Sequence, residues 1–256
     1  MTIYSWNMLY RNSRLPEALA FVRESGADIF CLQEVPETLL PRLKELSYHF
    51  AAIKEVDFIA RGFSSTSYIV ILSRYPITRH ESIALPLPSR VPLLSRFFYA
   101  VGLWALARSE RHVCMADLDT PAGPLRIFNL HLSLTHPKRR MRELELALAA
   151  RDSTIPSIVC GDLNTLEKPH INILNWLLGG TARDMLSWRR ERTHIEKRFA
   201  SYELANALRG RRTHPLSRSQ LDHILTSPHF TIKNAHVLPG RYGSDHHPIR
   251  IELAVH

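Results

Sequence analysis

Eight apolar runs of strand length are spread along this chain of 256 residues, and helical patterns lie between several of them. The runs are Ile3–Trp6, Ile29–Leu32, Tyr68–Leu72, Val113–Leu118, Leu125–Leu130, Ser157–Cys160, Leu221–Leu225 and Ile249–Leu253. Leu15, Ala18, Leu19 and Val22 are spaced for one helix face, and Gly26 follows as a stop. Pro137 opens a second helix with Met141, Leu144 and Leu148 on its face. Thr120-Pro121-Ala122-Gly123 reads as a hairpin turn. Strands that both alternate with helices and pair by hairpins predict an α/β fold with a mixed sheet, or two of them, covered by helices. A chain this long buries roughly 70–75% of the surface its unfolded form exposes. One domain over 1–256 is therefore expected, with no disulfide or metal needed for folding. Cys31, Cys114 and Cys160 each sit in an apolar run and are expected as reduced core residues.

No basic start with an apolar core precedes the first strand, and no stretch of 18 apolar residues occurs. Neither a secretory signal nor a transmembrane helix is expected, and a cytoplasmic location follows as the default. One apolar segment stands out inside a proline-rich insertion at 86–107. It is Phe97–Ala107, flanked by Arg90, Arg96, Arg108 and Arg111. It reads either as a packing helix or as an element in contact with a membrane surface.

The places where apolar runs stop carry the chemistry. They stop at Asn7, at Glu34, at His131, at Asp162 with Asn164 two residues on, and at Asp245-His246; Asp222 sits within its run. Crevices at strand ends are where ligands bind in sheet proteins. Carboxylates gathered there repel one another and are costly to bury unpaired. A divalent cation resolves the conflict, and Glu, Asp and Asn are hard oxygen ligands suited to Mg²⁺ or Mn²⁺. Asp162 and Asn164, at i and i+2, address one side of an extended chain. Gly161 before them allows close backbone approach. Asp222 is expected half-buried, with an imidazolium as a suitable partner.

In chain order the motifs are Asn7 in SWN, Gln33-Glu34 in LQEV, His131 in NLHL, Gly161-Asp162-Leu163-Asn164, Asp222 in LDHIL and Ser244-Asp245-His246 in GSDHHPI. The series resembles the endonuclease/exonuclease/phosphatase superfamily, which has the DNase I-like fold. The resemblance implies a four-layer α/β sandwich of two packed mixed β-sheets flanked by helices, with the site at one edge between the sheets. It implies Mg²⁺-dependent phosphoester hydrolysis, with Mn²⁺ as an alternative ion. In that picture Glu34 binds the metal with Asn7 near it, and Asp245 is a metal-binding or supporting carboxylate. His246 is the general base for the attacking water, and Asp222 orients it. Asp162 and Asn164 position the nucleophile or scissile phosphate, and His131 donates to the phosphoryl oxygens.

The chain departs from the family pattern at Ser67–Arg74, where many relatives carry a small Gly-Asn pair ahead of the strand. Some relatives pair the first histidine with a Glu from this region, and the sequence singles out no such Glu. His247 is assigned to structure, and His112, His136, His170, His194 and His214 to the surface or to turns.

The net charge of +9 suits polyanions or anionic membrane surfaces. Residues 183–218 alone carry a net +6, with Trp188, Phe199 and Tyr202 interleaved. Arg189, Arg190, Arg211 and Arg212 are the candidates there for binding an anionic substrate. The expected activity is a phosphodiesterase, a nuclease on DNA or RNA. A lipid phosphoesterase of the sphingomyelinase or inositol-phosphatase kind is the alternative, and a non-catalytic binding protein is the third reading. No protein partner is expected, and the chain is read as a monomer.

Overall fold

The computed structural model describes the chain apart from residues 61–62, 86–92, 94–96, 98–105, 108–110, 135, 178–180 and 256. The expected insertion at 86–107, with its Phe97–Ala107 segment, therefore lies largely outside the described residues.

Two mixed sheets face each other. The first has seven strands among the described residues: β1 (Thr2–Asn7), β2 (Ile29–Pro36), β3 (His49–Ala60), β4 (Phe63–Ser73), β6 (Leu106–Ala107), β12 (Phe230–Val237) and β13 (Ile249–Val255). Their order is β12-β13-β1-β2-β4-β3-β6. The second has six: β5 (Ile77–Leu85), β7 (Arg111–Thr120), β8 (Gly123–His131), β9 (Ser157–Asp162), β10 (Ala205–Asn206) and β11 (Asp222–Thr226). Their order is β10-β11-β9-β8-β7-β5. Helices α1 (Leu15–Glu24) and α2 (Leu40–Lys44) cover the first sheet; α3 (Pro137–Ala149) and α5 (Glu191–Ser201) cover the second. α4 (Pro169–Leu177) packs beside the 3₁₀ stretch Ala182–Arg189.

The central strands read as unbroken apolar runs because both of their faces are covered. In β2, Ile29 and Cys31 enter the layer between the sheets, while Phe30 and Leu32 face α1 and α2. In β8, Ile127 faces inward, while Phe128 and Leu130 meet the outer cluster with Leu144 and Leu148 of α3. All three cysteines are free and buried. No helix among the described residues is long and apolar enough to cross a membrane.

The topology brings the polar strand ends together. β1 and β2 are parallel, with Asn7 opposite Gln33, so Asn7 and Glu34 finish at one edge. β8 and β9 are parallel, with His131 opposite Asp162. β11 runs antiparallel to β9 and so begins at that edge, with Asp222 opposite Asp162. β13 runs antiparallel to β1, and the chain enters it from His246.

Gly161 makes the β8–β9 approach feasible. Its φ is +131°, and a Cβ there would lie 1.9 Å from Leu130 O. Gly161→Ala is expected to lose at least about 3 kcal/mol of unfolding free energy, measured by urea denaturation, because both the backbone angle and the contact oppose a side chain.

Candidate active site

Two bulges aim carboxylates into the edge between the sheets. The β2–β4 register shifts between Leu32 and Val35, and Glu34 adopts a φ of 49° there. The β3–β4 register shifts between Lys54 and Val56, which leaves Glu55 as the unpaired residue. Bulges re-aim side chains in this way next to functional sites. Glu55 is fully buried. It pairs with His131 Nδ1 and also accepts the Glu34 backbone N–H at 2.9 Å and the Ser67 hydroxyl at 3.1 Å. The Glu that the sequence left unidentified is therefore Glu55, from β3 rather than from the Ser67–Arg74 stretch.

The pair is ionic. Burial raises the Glu55 carboxyl, but the His131 charge and hydrogen bond outweigh it and hold Glu55 below its ordinary value. Burial likewise lowers His131, and Glu55 more than reverses this. His131 Nε2 then faces Asp162 Oδ2 at 3.5 Å and Glu34 Oε1 at 3.9 Å.

Asn7 lies between those two carboxylates. Its Nδ2 donates to Asp162 Oδ2 at 3.1 Å and Glu34 Oε1 at 3.3 Å, and its Oδ1 accepts the Leu9 N–H, which fixes the amide orientation. Glu34 Oε2 accepts the Tyr10 N–H at 3.1 Å. Burial pushes the Glu34 carboxyl up, with Glu55 adding to the effect and His131 opposing it. Asp162 goes the other way: burial raises it, but His246 and His131 together outweigh that and lower it. Asn164, at φ 52°, gives its backbone N–H to Asp162 Oδ1 and its Nδ2 to Leu132 O, each at 2.9 Å. The buried Asp162 and the half-buried Glu34 put two hard carboxylate donors at one spot, which fits a divalent cation such as Mg²⁺ or Mn²⁺, while Asn7 turns its Nδ2 rather than its oxygen towards them.

His246 Nδ1 lies 2.9 Å from Asp222 Oδ2, and its Nε2 lies 3.7 Å from Asp162 Oδ2. The loop holding it is tied to β1. Ser244 Oγ donates to Asn7 O at 2.7 Å, and Trp6 Nε1 to His246 O at 3.3 Å. Asp222, expected half-buried, is fully buried, because it pairs with Asp162 of β9 and the His246 ring lies on its carboxylate. The Thr213 hydroxyl accepts its backbone N–H at 3.0 Å.

Burial disfavours the His246 imidazolium, yet Asp222 and Asp162 push its pKa up to about 10. A folded pKa raised above 6.5 gives stability that is complete at lower pH and lost as pH rises towards 10. With EDTA present, the urea midpoint is expected to fall between pH 7 and pH 9.5, and Asp222→Asn should flatten that slope.

His214, expected at the surface or in a turn, does open a turn over 214–219, but it is 9% exposed and its ring lies against the site. Its ring meets His246 edge-on at 4.8 Å, and its Nε2 is 3.5 Å from Asp245 Oδ2. Asp245 stands at the rim with half its side chain exposed. Burial raises its carboxyl, but the His214 and His246 rings hold it down at about 2. His247 instead bonds Leu238 O through Nδ1 at 2.8 Å. Beneath the site, Gln33 Nε2 donates to Asn129 Oδ1 at 2.6 Å, a polar link between the two sheets.

The basic segment is more committed than its composition implied. Phe199 is buried and Tyr202 packs beside it, so neither is a stacking platform. Arg192 pairs with Glu167 and Glu196, Arg198 with Glu145, and Arg211 donates to Ala235 O at 2.6 Å. Arg190 and Arg212 are exposed, and the Arg189 side chain lies outside the described residues. A cleft of about 540 Å³ opens next to Tyr10, lined also by Arg11, Thr38, Ser65 and Thr66.

Residues 4–246 match the sequence profile of the Endonuclease/Exonuclease/phosphatase family. No curated protein sequence matches the chain. Among solved structures, the chain resembles an endonuclease/exonuclease/phosphatase from Beutenbergia cavernae DSM 12333 with 21% identity and a TM-score of 0.65, over 100% of this chain and 71% of that one. It resembles a mannosyl-6-phosphatase of Bacteroides thetaiotaomicron VPI-5482 with 19% identity and a TM-score of 0.64, over 99% of each chain. It also resembles the human Nocturnin catalytic domain, solved with a bound sulfate anion, with 18% identity and a TM-score of 0.64, over 100% of this chain and 93% of that one. At these identities the likeness shows the fold.

Proposed function

The chain belongs to the endonuclease/exonuclease/phosphatase family, whose members are phosphoric ester hydrolases, and from that premise we propose that it is a Mg²⁺-dependent phosphodiesterase acting on nucleic acid. The observation that carries the chemistry is the convergence of two imidazoles on one carboxylate oxygen. His131 Nε2 and His246 Nε2 lie 3.5 and 3.7 Å from Asp162 Oδ2, with Glu34 alongside.

In this reading Asp222 accepts from His246 Nδ1 and fixes the tautomer that leaves Nε2 facing the attacking water. His246 Nε2 takes the proton of that water as its oxygen attacks phosphorus, the P–O bond to the leaving alcohol breaks, and the departing alkoxide takes up a proton from solvent. His131, held by Glu55, presents Nε2–H to a phosphoryl oxygen as negative charge builds. Asp162, steadied by Asn7 and the Asn164 N–H, orients the water. Glu34 and Asp162, with Asn7 between them, would hold the cation, and Asp245 supports from the rim. A bound divalent ion would offset the charge of those carboxylates, Asp162 included, so that Asp162 raises His246 less, and it would offset the phosphate charge.

The net charge of +9 and the exposed Arg190 and Arg212 support a polyanionic substrate. A second reading, a lipid phosphoesterase, has a separate support. Ile173, Trp176, Leu186 and Leu216 are exposed, and Leu216 lies two residues from His214. The two are separated by assaying plasmid DNA, RNA and sphingomyelin vesicles side by side. The nucleic-acid reading expects cleavage of DNA or RNA, with binding that weakens steeply as salt rises. Hydrolysis confined to vesicles would replace it with the lipid reading.

A further inference from the structure

His214 Nδ1 accepts the Ser217 backbone N–H at 3.1 Å, and Ser217 Oγ lies at the same distance. A backbone amide only donates, so the Nδ1 lone pair is occupied and the ring proton sits on Nε2. The loop fixes that ring. Thr213 N donates to Ser219 O at 3.1 Å and Arg218 N to His214 O at 3.0 Å, so the segment closes on itself. The Nε2–H faces Asp245 Oδ2 at 3.5 Å, while Asp245 Oδ1 is 4.0 Å from His246 Nε2.

His214, Asp245 and His246 bring their ligand atoms within 4.8 Å of one another, as a metal site would. The hydrogen bonding argues against that use. A histidine that ligates through Nε2 donates from Nδ1 to a partner. Here Nδ1 accepts instead, and Nε2 has no lone pair to give.

We propose that His214 is a positioning residue whose Nε2–H holds Asp245 back from His246 and keeps His246 Nε2 open to water. The inference rests on the reading of His246 as the base. Asp245 is half-exposed and adjacent to His246 in the chain. Without a competing donor its carboxylate turns onto the His246 ring and occupies the place the attacking water needs. His214 supplies that donor from a closed loop, and its ring edge packs on His246 so that neither imidazole drifts.

The test uses His214→Phe, which keeps a packed ring and removes the donor, with bis-p-nitrophenyl phosphate as substrate. The expected result is a kcat about tenfold lower with KM within about twofold of wild type. His214→Gln restores an N–H and is expected to recover kcat to within about threefold of wild type. In an Asp245→Ala background, His214→Phe is expected to change kcat by less than about twofold, because the donor has nothing left to hold. Equal losses in both backgrounds, or a His214→Phe enzyme as fast as wild type, would overturn the proposal. The tautomer is read without turnover, from a long-range ¹H–¹⁵N spectrum of the wild-type imidazoles. Protonated Nε2 and bare Nδ1 on His214 are expected. A proton on Nδ1 would overturn the assignment even if no substrate were cleaved, so an error about His214 is told apart from an error about the reaction.

Discussion

His246→Ala is expected to lower kcat on bis-p-nitrophenyl phosphate by about 10³-fold, within the range that a positioned general base contributes. KM should change far less, because the ring acts on the water rather than on the bound diester. Asp222→Asn should approach the same loss by a different route. An amide can present N–H to Nδ1, which forces the ring proton onto Nε2 and removes the base. The alanine variant leaves Asp162 and Asp222 buried without the imidazolium that now offsets them. His246→Gln keeps a donor at that position and controls for lost stability. Retention of more than a tenth of wild-type kcat in a folded His246→Ala enzyme would remove His246 from the role of base.

The second large effect falls on Glu55. Glu55→Ala leaves the His131 ring, the Glu34 N–H and the Ser67 hydroxyl without their shared acceptor, all in a buried place. Breaking a buried ion pair by deleting one partner costs about 3–5 kcal/mol, and that loss is expected in urea unfolding. Glu55→Gln keeps an oxygen for the two donors but withdraws the charge from His131. It should unfold at nearly wild-type urea while kcat falls at least about tenfold, because His131 then presents its Nε2–H less firmly. An alanine variant within about 1 kcal/mol of wild type would contradict the pairing.

The contrast between these two residues shows what the sequence carries. His246 was legible because it follows an Asp at the mouth of an apolar strand, within a series of motifs that fall in order. The parallel pairs β1–β2 and β8–β9 then place those strand ends at one edge, so the residues that the motifs single out come together there. Glu55 was hidden for a physical reason. In HFAAIKEV it looks like the polar partner of Lys54 on an exposed strand. Yet Ala51 of this strand belongs to the layer between the sheets, Ile53 packs against that layer, and Glu55 continues their alternation. That period-2 signal was readable, whereas the bulge at Lys54–Val56 that turns Glu55 onto His131 was not. His214 was hidden more deeply, because only the closure of residues 213–219 brings it to His246, and no local pattern marks that closure. The arginine-rich segment misled in the opposite direction. Phe199, Tyr202 and several of its charges serve α5 and its neighbours, since composition counts charges without counting their partners.

The central claim is that Glu34, Asp162, His131 and His246 form one cation-dependent phosphoesterase site. It is tested most directly by assaying bis-p-nitrophenyl phosphate hydrolysis with protein stripped by EDTA, before and after Mg²⁺ is restored, beside Glu34→Gln. No turnover is expected in the stripped protein, full recovery on adding Mg²⁺, and little recovery in the variant. Turnover that persists in EDTA, or a Glu34→Gln enzyme that recovers as wild type does, would contradict it.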